Sequence, residues 1–243
     1  MKGIIPMKPR AGGEEWISVS DIMSGLMLIF LVVAVFFMRQ IQQDKRAIEE
    51  IAIVYDRVRD ALYESLFAEF RDSLASWGAE IDSTTLSVKF GPEVLFRQGE
   101  AEIQPRFKEI LDDFFPRYVA ILMQPSFRDH IEEVRIEGHT SSEWFYRGAV
   151  RGSGLEAYEG NMDLSQQRTR AVLSYVVRLA GVREHWEGWL RPLMTANGLS
   201  SSQLVRNEDG GENRLLSRRV EFRVRTDAER RMVEILSMTD RAR

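Results

Sequence analysis

The chain has 243 residues, room for one domain of ordinary size plus accessories and too little for a large multidomain enzyme. Lys+Arg 33 against Asp+Glu 37 gives a net charge of −4, which argues against a nucleic-acid binder that works through overall positive charge. Cysteine is absent, so disulfide frameworks, Cys-zinc sites and thiol nucleophiles are excluded, and three histidines (His130, His139, His185) are too few for a His-rich metal site.

Near the N-terminus, Ile22 to Met38 carries no charge, and extending back to Ile17 gives 22 residues with one charge, Asp21. A helix needs roughly 20 residues to cross a hydrocarbon core of ~30 Å, so this segment predicts a membrane span. A signal peptide is the alternative, but its apolar core would be only ~7–15 residues before a cleavage site of small residues. Here the run ends in Phe36-Phe37-Met38-Arg39 and flows into a helical pattern, so an uncleaved anchor is expected. Lys2, Lys8 and Arg10 precede the span while Arg39, Lys45, Arg46 and Arg57 follow it, so the positive-inside count does not decide orientation. Long following segments translocate largely regardless of charge, which gives N-terminus inside and bulk outside. An ionised carboxylate in a span is expensive and usually relays ions or protons, which makes Asp21 the residue of interest there.

Trp16-(x4)-Asp21-(x1)-Met23-(x2)-Leu26-Met27 resembles the stator B subunits of ion-driven rotary machines, the MotB family. Single-span proteins of the TolR/ExbD type match similarly. The resemblance implies that Asp21 carries the ion, H⁺ or Na⁺. It also implies a multi-span MotA-like A subunit as partner, five copies around a B homodimer.

After Arg39, apolar residues fall at Ile41, Ile48, Tyr55 and Leu62, seven apart, with Ile51 and Val58 three residues after two of them. That is a heptad seam for pairing two parallel helices. Beyond it the stripe moves to Leu66, Phe70, Leu74 and Trp77, nearer the ~3.6 period of a straight helix. A coiled-coil stalk and an amphipathic helix packing on its own domain both fit. Flagellar stator proteins usually place a plug and flexible linker here, so a rigid continuation departs from them. The expected divisions are a cytoplasmic segment 1–16, a transmembrane helix 17–38, a helical stalk 39–78 and a periplasmic domain 79–243.

From Thr84 the chain alternates, with Leu86, Val88 and Phe90 on one side, predicting a half-buried strand. Gln98-Gly99 reads as a turn, and Pro105 opens a helix with Phe107, Ile110, Leu111, Phe114 and Phe115 that ends before Pro125. Val134–Gly138 is another strand, and Asn161 or Asp163 is expected to cap a helix that Gly181 stops. A strand near Leu190–Ala196, a last one through Val220, Phe222 and Val224, and a closing helix over 227–240 complete an α/β sandwich with a mixed sheet.

Three segments of this domain resemble, in order, the OmpA-like peptidoglycan-binding domain over about residues 84–226. They are VRIEGHT (134–140), N-x-x-L-S-x-x-R (Asn161, Leu164, Ser165, Arg168) and SRRVEFRV (217–224). The resemblance implies a cleft for the peptide stem of the cell wall, formed by Thr140, Ser141, Asn161, Leu164 and Arg168, with Arg168 meeting a stem carboxylate. A guanidinium fork suits a carboxylate through two charge-assisted bonds, and a helix N-terminus facing the cleft would add favourable charge. Two departures stand out. The family usually has Asp where this chain has Ser141, which removes a partner for an amino group worth ~1.5–3 kcal/mol. The chain between Thr140 and Asn161 is longer than usual and carries Glu143, Trp144, Phe145 and Tyr146. His139 reads as structural rather than as a metal ligand, and one of Arg218 and Arg219 as a member of a structural ion pair.

No phosphate loop, metal-ligand cluster or Ser/His/Asp constellation appears at a credible spacing, so neither an enzyme site nor a cofactor is expected. An Asp-bearing span followed by an OmpA-like domain is the layout of a stator B subunit. The compact size, the direct helical stalk and the Ser-Ser-Glu-Trp variant resemble, within that group, the B subunits of Zorya antiphage systems. That resemblance implies a peptidoglycan-anchored, ion-driven motor of the bacterial inner membrane working in antiviral defence. A flagellar stator subunit and a passive tether of the envelope remain the alternatives.

Overall fold

The computed structural model describes residues 13–146, 149, 150, 152 and 154–227. The expected closing helix over 227–240 lies outside them, apart from Asp227. The chain divides between Ile51 and Ala52 into an N-terminal unit and a compact unit.

Helix α1 runs Gly13–Trp77. Within it, Asp21–Gln43 is a 23-residue stretch long and apolar enough to cross a membrane, and no other described helix is. Every described side chain from Asp21 to Gln43 is exposed, as a helix apolar all round must be when its solvent is lipid. The heptad side chains of Ile48, Ile51 and Tyr55 lie outside the described ones, whereas Leu62, Leu66, Phe70 and Trp77 are buried in the compact unit's core. From Val58 onward the helix packs on its own domain. Gly78 ends it in the left-handed region at φ 61°, a conformation that glycine adopts without a Cβ clash.

The compact unit continues with β1 (Ala79–Asp82), β2 (Ser87–Phe90), the one-turn helix α2 (Pro92–Leu95), α3 (Pro105–Leu122) and β3 (Ile131–His139). A small hairpin follows, β4 (Phe145–Tyr146) and β5 (Ala149–Val150), then α4 (Leu155–Val176) and α5 (Ala180–His185). Strand β6 (Met194–Gly198), one-turn α6 (Arg214–Ser217) and β7 (Arg219–Thr226) complete it. The sheet order is β1-β2-β7-β3-β6, parallel only between β3 and β6, which makes the sheet mixed as expected.

Several expectations shift. Strand β1 went unread because an edge strand with a mostly half-exposed pattern gives no alternation; Asp82 Oδ1 closes its turn by accepting from the Thr84 and Thr85 amides at 2.8 and 3.1 Å. Helix α4 starts at Leu155, not Asn161, and ends at Val176, while Gly181 lies inside α5 rather than stopping α4. Trp186–Leu190 forms a π turn, which moves the following strand to Met194–Gly198.

One face of the sheet carries the core. Phe114 is its hub, with ring centroids 5.1 Å from Phe90 and Phe222 and 5.2 Å from Phe70 of α1. The other face is an ionic ladder in which Glu133, Arg135, Glu137 and His139 of β3 stand opposite Arg225, Arg223, Glu221 and Arg219 of β7. Glu133 accepts from Arg135 at 2.6 Å, Thr195 at 2.7 Å and Arg225 at 3.1 Å. Burial works against its charged form, but these donors outweigh it and hold its carboxyl at about 2.

A folded-state value below the ordinary 4.5 means that Glu133 contributes stability above pH 4.5, and that this is lost as pH falls toward 2. Chemical denaturation of the full chain in detergent should show Glu133→Gln less stable than wild type at pH 7, by up to about 3 kcal/mol. The gap should close between pH 5 and 2. A gap independent of pH would remove the ladder's electrostatic role.

Candidate functional site

The cleft forms where β3 ends and α4 crosses it. The helix comes unusually close because two strand positions lack a side chain. A Cβ on Gly138 would stand 2.7 Å from Thr169 Cγ2, and one on Gly198 would stand 2.4 Å from the Gln166 backbone nitrogen. The resulting cavity of about 260 Å³ is lined by Thr140 and Ser141 after β3, by Asn161, Leu164 and Arg168 on α4, and by Arg218 before β7. The five residues singled out in the sequence thus meet around one space; Asp21, in the other unit, is exposed.

Asn161 is not a cap. It lies inside α4, buried, and its Nδ2 donates to the Ser141 carbonyl at 3.0 Å and the Glu143 carbonyl at 3.2 Å. It therefore positions the loop wall. Asn favours caps because its side chain competes for backbone groups, yet here those groups belong to another segment. Residues 154–160 do not line the cavity, so the amides of the α4 N-terminus are not part of the cleft.

Arg168 is seated on backbone and ring. Its Nε donates to the Glu100 carbonyl at 2.8 Å, its Nη2 to the Arg97 carbonyl at 3.2 Å, and its guanidinium lies 4.9 Å from the Phe96 ring centroid. Among the described residues no carboxylate pairs with it. Burial lowers its pKa to about 10, and the neighbouring Arg218 charge pushes the same way. Arg219, by contrast, donates to Glu221 at 2.5 Å, so it is the member of the pair with a structural partner.

The longer loop is a built wall. Glu212 accepts from the Ser142 amide at 2.8 Å and the Ser142 hydroxyl at 2.5 Å, and Arg214 holds Glu143 at 3.1 Å. A Cβ on Gly160 would fall 2.3 Å from Trp144 Cε2, so the indole lies directly on the helix backbone. Phe145 packs on Gly99, whose φ of 76° suits glycine, and both Phe145 and Val150 line the cavity. Sequence reading missed this hairpin; Gly160 inside a run of good helix formers was the available signal.

Glu137, His139 and Glu221 bring possible ligand atoms within 4.8 Å of one another, all buried. The donor set does not suit a metal cation, because Arg135 and Arg219 already donate to those two carboxylates. The cluster is an ion-pair network of the sheet.

The family model described as OmpA family matches residues 95–219. The chain is 42% identical over 233 residues to the Zorya protein ZorB of Escherichia coli, covering 96% of each chain. Among solved structures, a MotB-like protein from Desulfovibrio vulgaris aligns at 25% identity and TM-score 0.45, over 68% of this chain and 94% of that one. The cell wall anchor of the type VI secretion system from Pseudomonas aeruginosa aligns at 22% identity and TM-score 0.44, over 66% and 96%.

Gly160→Ala should push Trp144 off α4, at about 1–3 kcal/mol of stability. Limited proteolysis should then cut within 142–154 several times faster than in wild type. An unchanged cleavage rate would mean that the indole does not hold the wall.

Proposed function

We propose that this chain, which belongs to the family of the Zorya protein ZorB and carries an OmpA-family domain, is the peptidoglycan-anchored B subunit of an ion-driven inner-membrane rotary motor in antiphage defence. The observation that carries the reading is a pairing within one chain. An apolar helix of span length opens on the carboxylate of Asp21, and a separate domain holds a cleft whose guanidinium has no carboxylate of its own among the described residues.

In this reading the segment before the span is cytoplasmic and the OmpA-like domain is periplasmic. Two copies pair, with a ring of five MotA-like A subunits around them, and nucleic acid is not a direct partner. Arg168 accepts a carboxylate of the cell-wall stem peptide, with Thr140, Ser141 and Leu164 completing the contact and Asn161 holding the wall in place. The anchored dimer is then the fixed part against which the ring turns.

Asp21 supplies the coupling. A carboxylate near the boundary of a hydrocarbon core gains its charge where water reaches it and loses it where water is excluded. Alternating between those environments loads and releases one cation per cycle. Moving one charge through ~150 mV yields ~3.5 kcal/mol, about six times thermal energy and enough for a rotational step.

Phage plating on cells carrying the whole operon tests the reading. Asp21→Asn should raise plating to the level of unprotected cells while the A–B complex still assembles; protection that survives the substitution would leave a passive tether. Separately, Arg168→Ala should weaken retention of the full chain by peptidoglycan sacculi by about tenfold or more, the lower range for losing a bond between charged groups. Equal retention of both proteins would remove Arg168 from the cleft's chemistry.

A further inference from the structure

The cleft holds positive charge that its own walls do not balance. On the sheet's polar face Arg135 donates to Glu133 and Glu137, Arg219 to Glu221 and Arg225 to Glu133. Arg168 and Arg218 differ. Both line the same cavity, and among the described residues neither has a carboxylate within ion-pair distance. Their mutual repulsion is felt, since the Arg218 charge acts to lower the Arg168 pKa. Glu143, the one carboxylate among the described lining residues, is held by Arg214 at 3.1 Å, and position 141 is a serine. Arg168 is also fixed in place by two carbonyls and the Phe96 ring, so it cannot turn away to find a partner elsewhere. Like charges gathered in a partly desolvated cavity are unfavourable by themselves, and anions brought by a ligand offset that.

We propose that Arg168 and Arg218 form a two-point clamp for a ligand with two carboxylates, so that the cleft reads the number of free acid groups on a peptide. The inference rests on the cell-wall reading above and deepens it. The stem peptide offers two carboxylates outside its main chain, one on the γ-linked glutamate and one at the side-chain end of diaminopimelate. Amidating either would remove a charge and leave one guanidinium buried against a neutral group. The clamp thus anchors the protein to an acidic wall and releases it from an amidated one. A ligand ammonium contributes little, because Glu143, the one carboxylate among the described lining residues, is already paired.

The test uses the full chain in detergent micelles and four synthetic stem tetrapeptides, all amidated at the C-terminal alanine so that only the glutamate and diaminopimelate carboxylates vary: both free, each one singly amidated, and both amidated. For wild type, each single amidation should weaken binding by about tenfold or more. Arg218→Gln should weaken the fully acidic peptide by a similar factor and become indifferent to one of the two amidations. Arg218→Lys, which keeps the charge but loses the fork, should fall between. Unfolding temperatures of the variants check that the domain is intact. Amidated and acidic peptides binding alike, or Arg218→Gln remaining sensitive to both amidations, would overturn the clamp. Wild type retained by sacculi with no selectivity among the peptides overturns the clamp alone. Wild type that binds neither sacculi nor any of the peptides overturns the cell-wall reading beneath it.

Discussion

The close seating of α4 on the ends of β3 and β6 is the constraint from which the cleft follows. Gly138 and Gly198 are paired neighbours in the parallel ladder, and each leaves a gap that the helix fills with Thr169, Ser165 and Gln166. A side chain at either strand position would meet helix atoms well inside contact distance, and at Gly198 those atoms include backbone that cannot rotate away. Ser165 completes the seat, its hydroxyl accepting from the Ser200 amide at 3.1 Å. With the helix fixed at that height, Asn161 reaches the loop after β3, and Leu164 and Arg168 come to line the same cavity.

Charge is distributed with equal economy around the sheet. Arg135 stands directly opposite Arg223, a pairing that would be unfavourable alone. Glu133 and Glu137 flank Arg135 along its own strand and accept from it at 2.6 and 3.2 Å. The polar face is thereby stitched together by residues that need one another. At the cleft the same chain leaves Arg168 and Arg218 without a paired carboxylate among the described residues, although Glu143 lines the same cavity and Glu212 bonds the loop that carries it. Both of those carboxylates are occupied by Ser142 and Arg214 in building the wall. Structural acids are used structurally, and among the described residues neither Arg168 nor Arg218 is ion-paired.

Helix α1 shows one secondary structure serving two solvents. Over Asp21–Gln43 it is apolar enough on average to cross a membrane, with Ile22–Met38 free of charge. By Leu62 it has a single buried stripe, and Phe70 and Trp77 join the aromatic group around Phe114, with Phe70 and Trp77 themselves 5.7 Å apart.

Local pattern alone determined a good deal. A long uncharged run is a span by length, and alternation in Leu86–Phe90 and Val220–Val224 marks strands buried on one face. The order of Thr140, Asn161 and Arg168 along the chain resembles that of the OmpA-like domain, and the cleft was implied by that resemblance rather than by local spacing. What the sequence left undecided were matters of partnership between distant segments. Asn161 reads as a cap because its preference is local, whereas its partners are the carbonyls of Ser141 and Glu143, twenty and eighteen residues away. Arg218 and Arg219 are adjacent and chemically identical and both line the cavity, but strand alternation puts Arg219 on the same face as Glu221, to which it donates, whereas Arg218 precedes the strand. Gly160 and Gly99 look like ordinary flexible positions until Trp144 and Phe145 arrive against them. Periodicity reports which face of an element is apolar, so the sequence could place elements and their buried sides. Only the tertiary structure could say which polar group meets which, because that depends on distances between segments that no local spacing encodes.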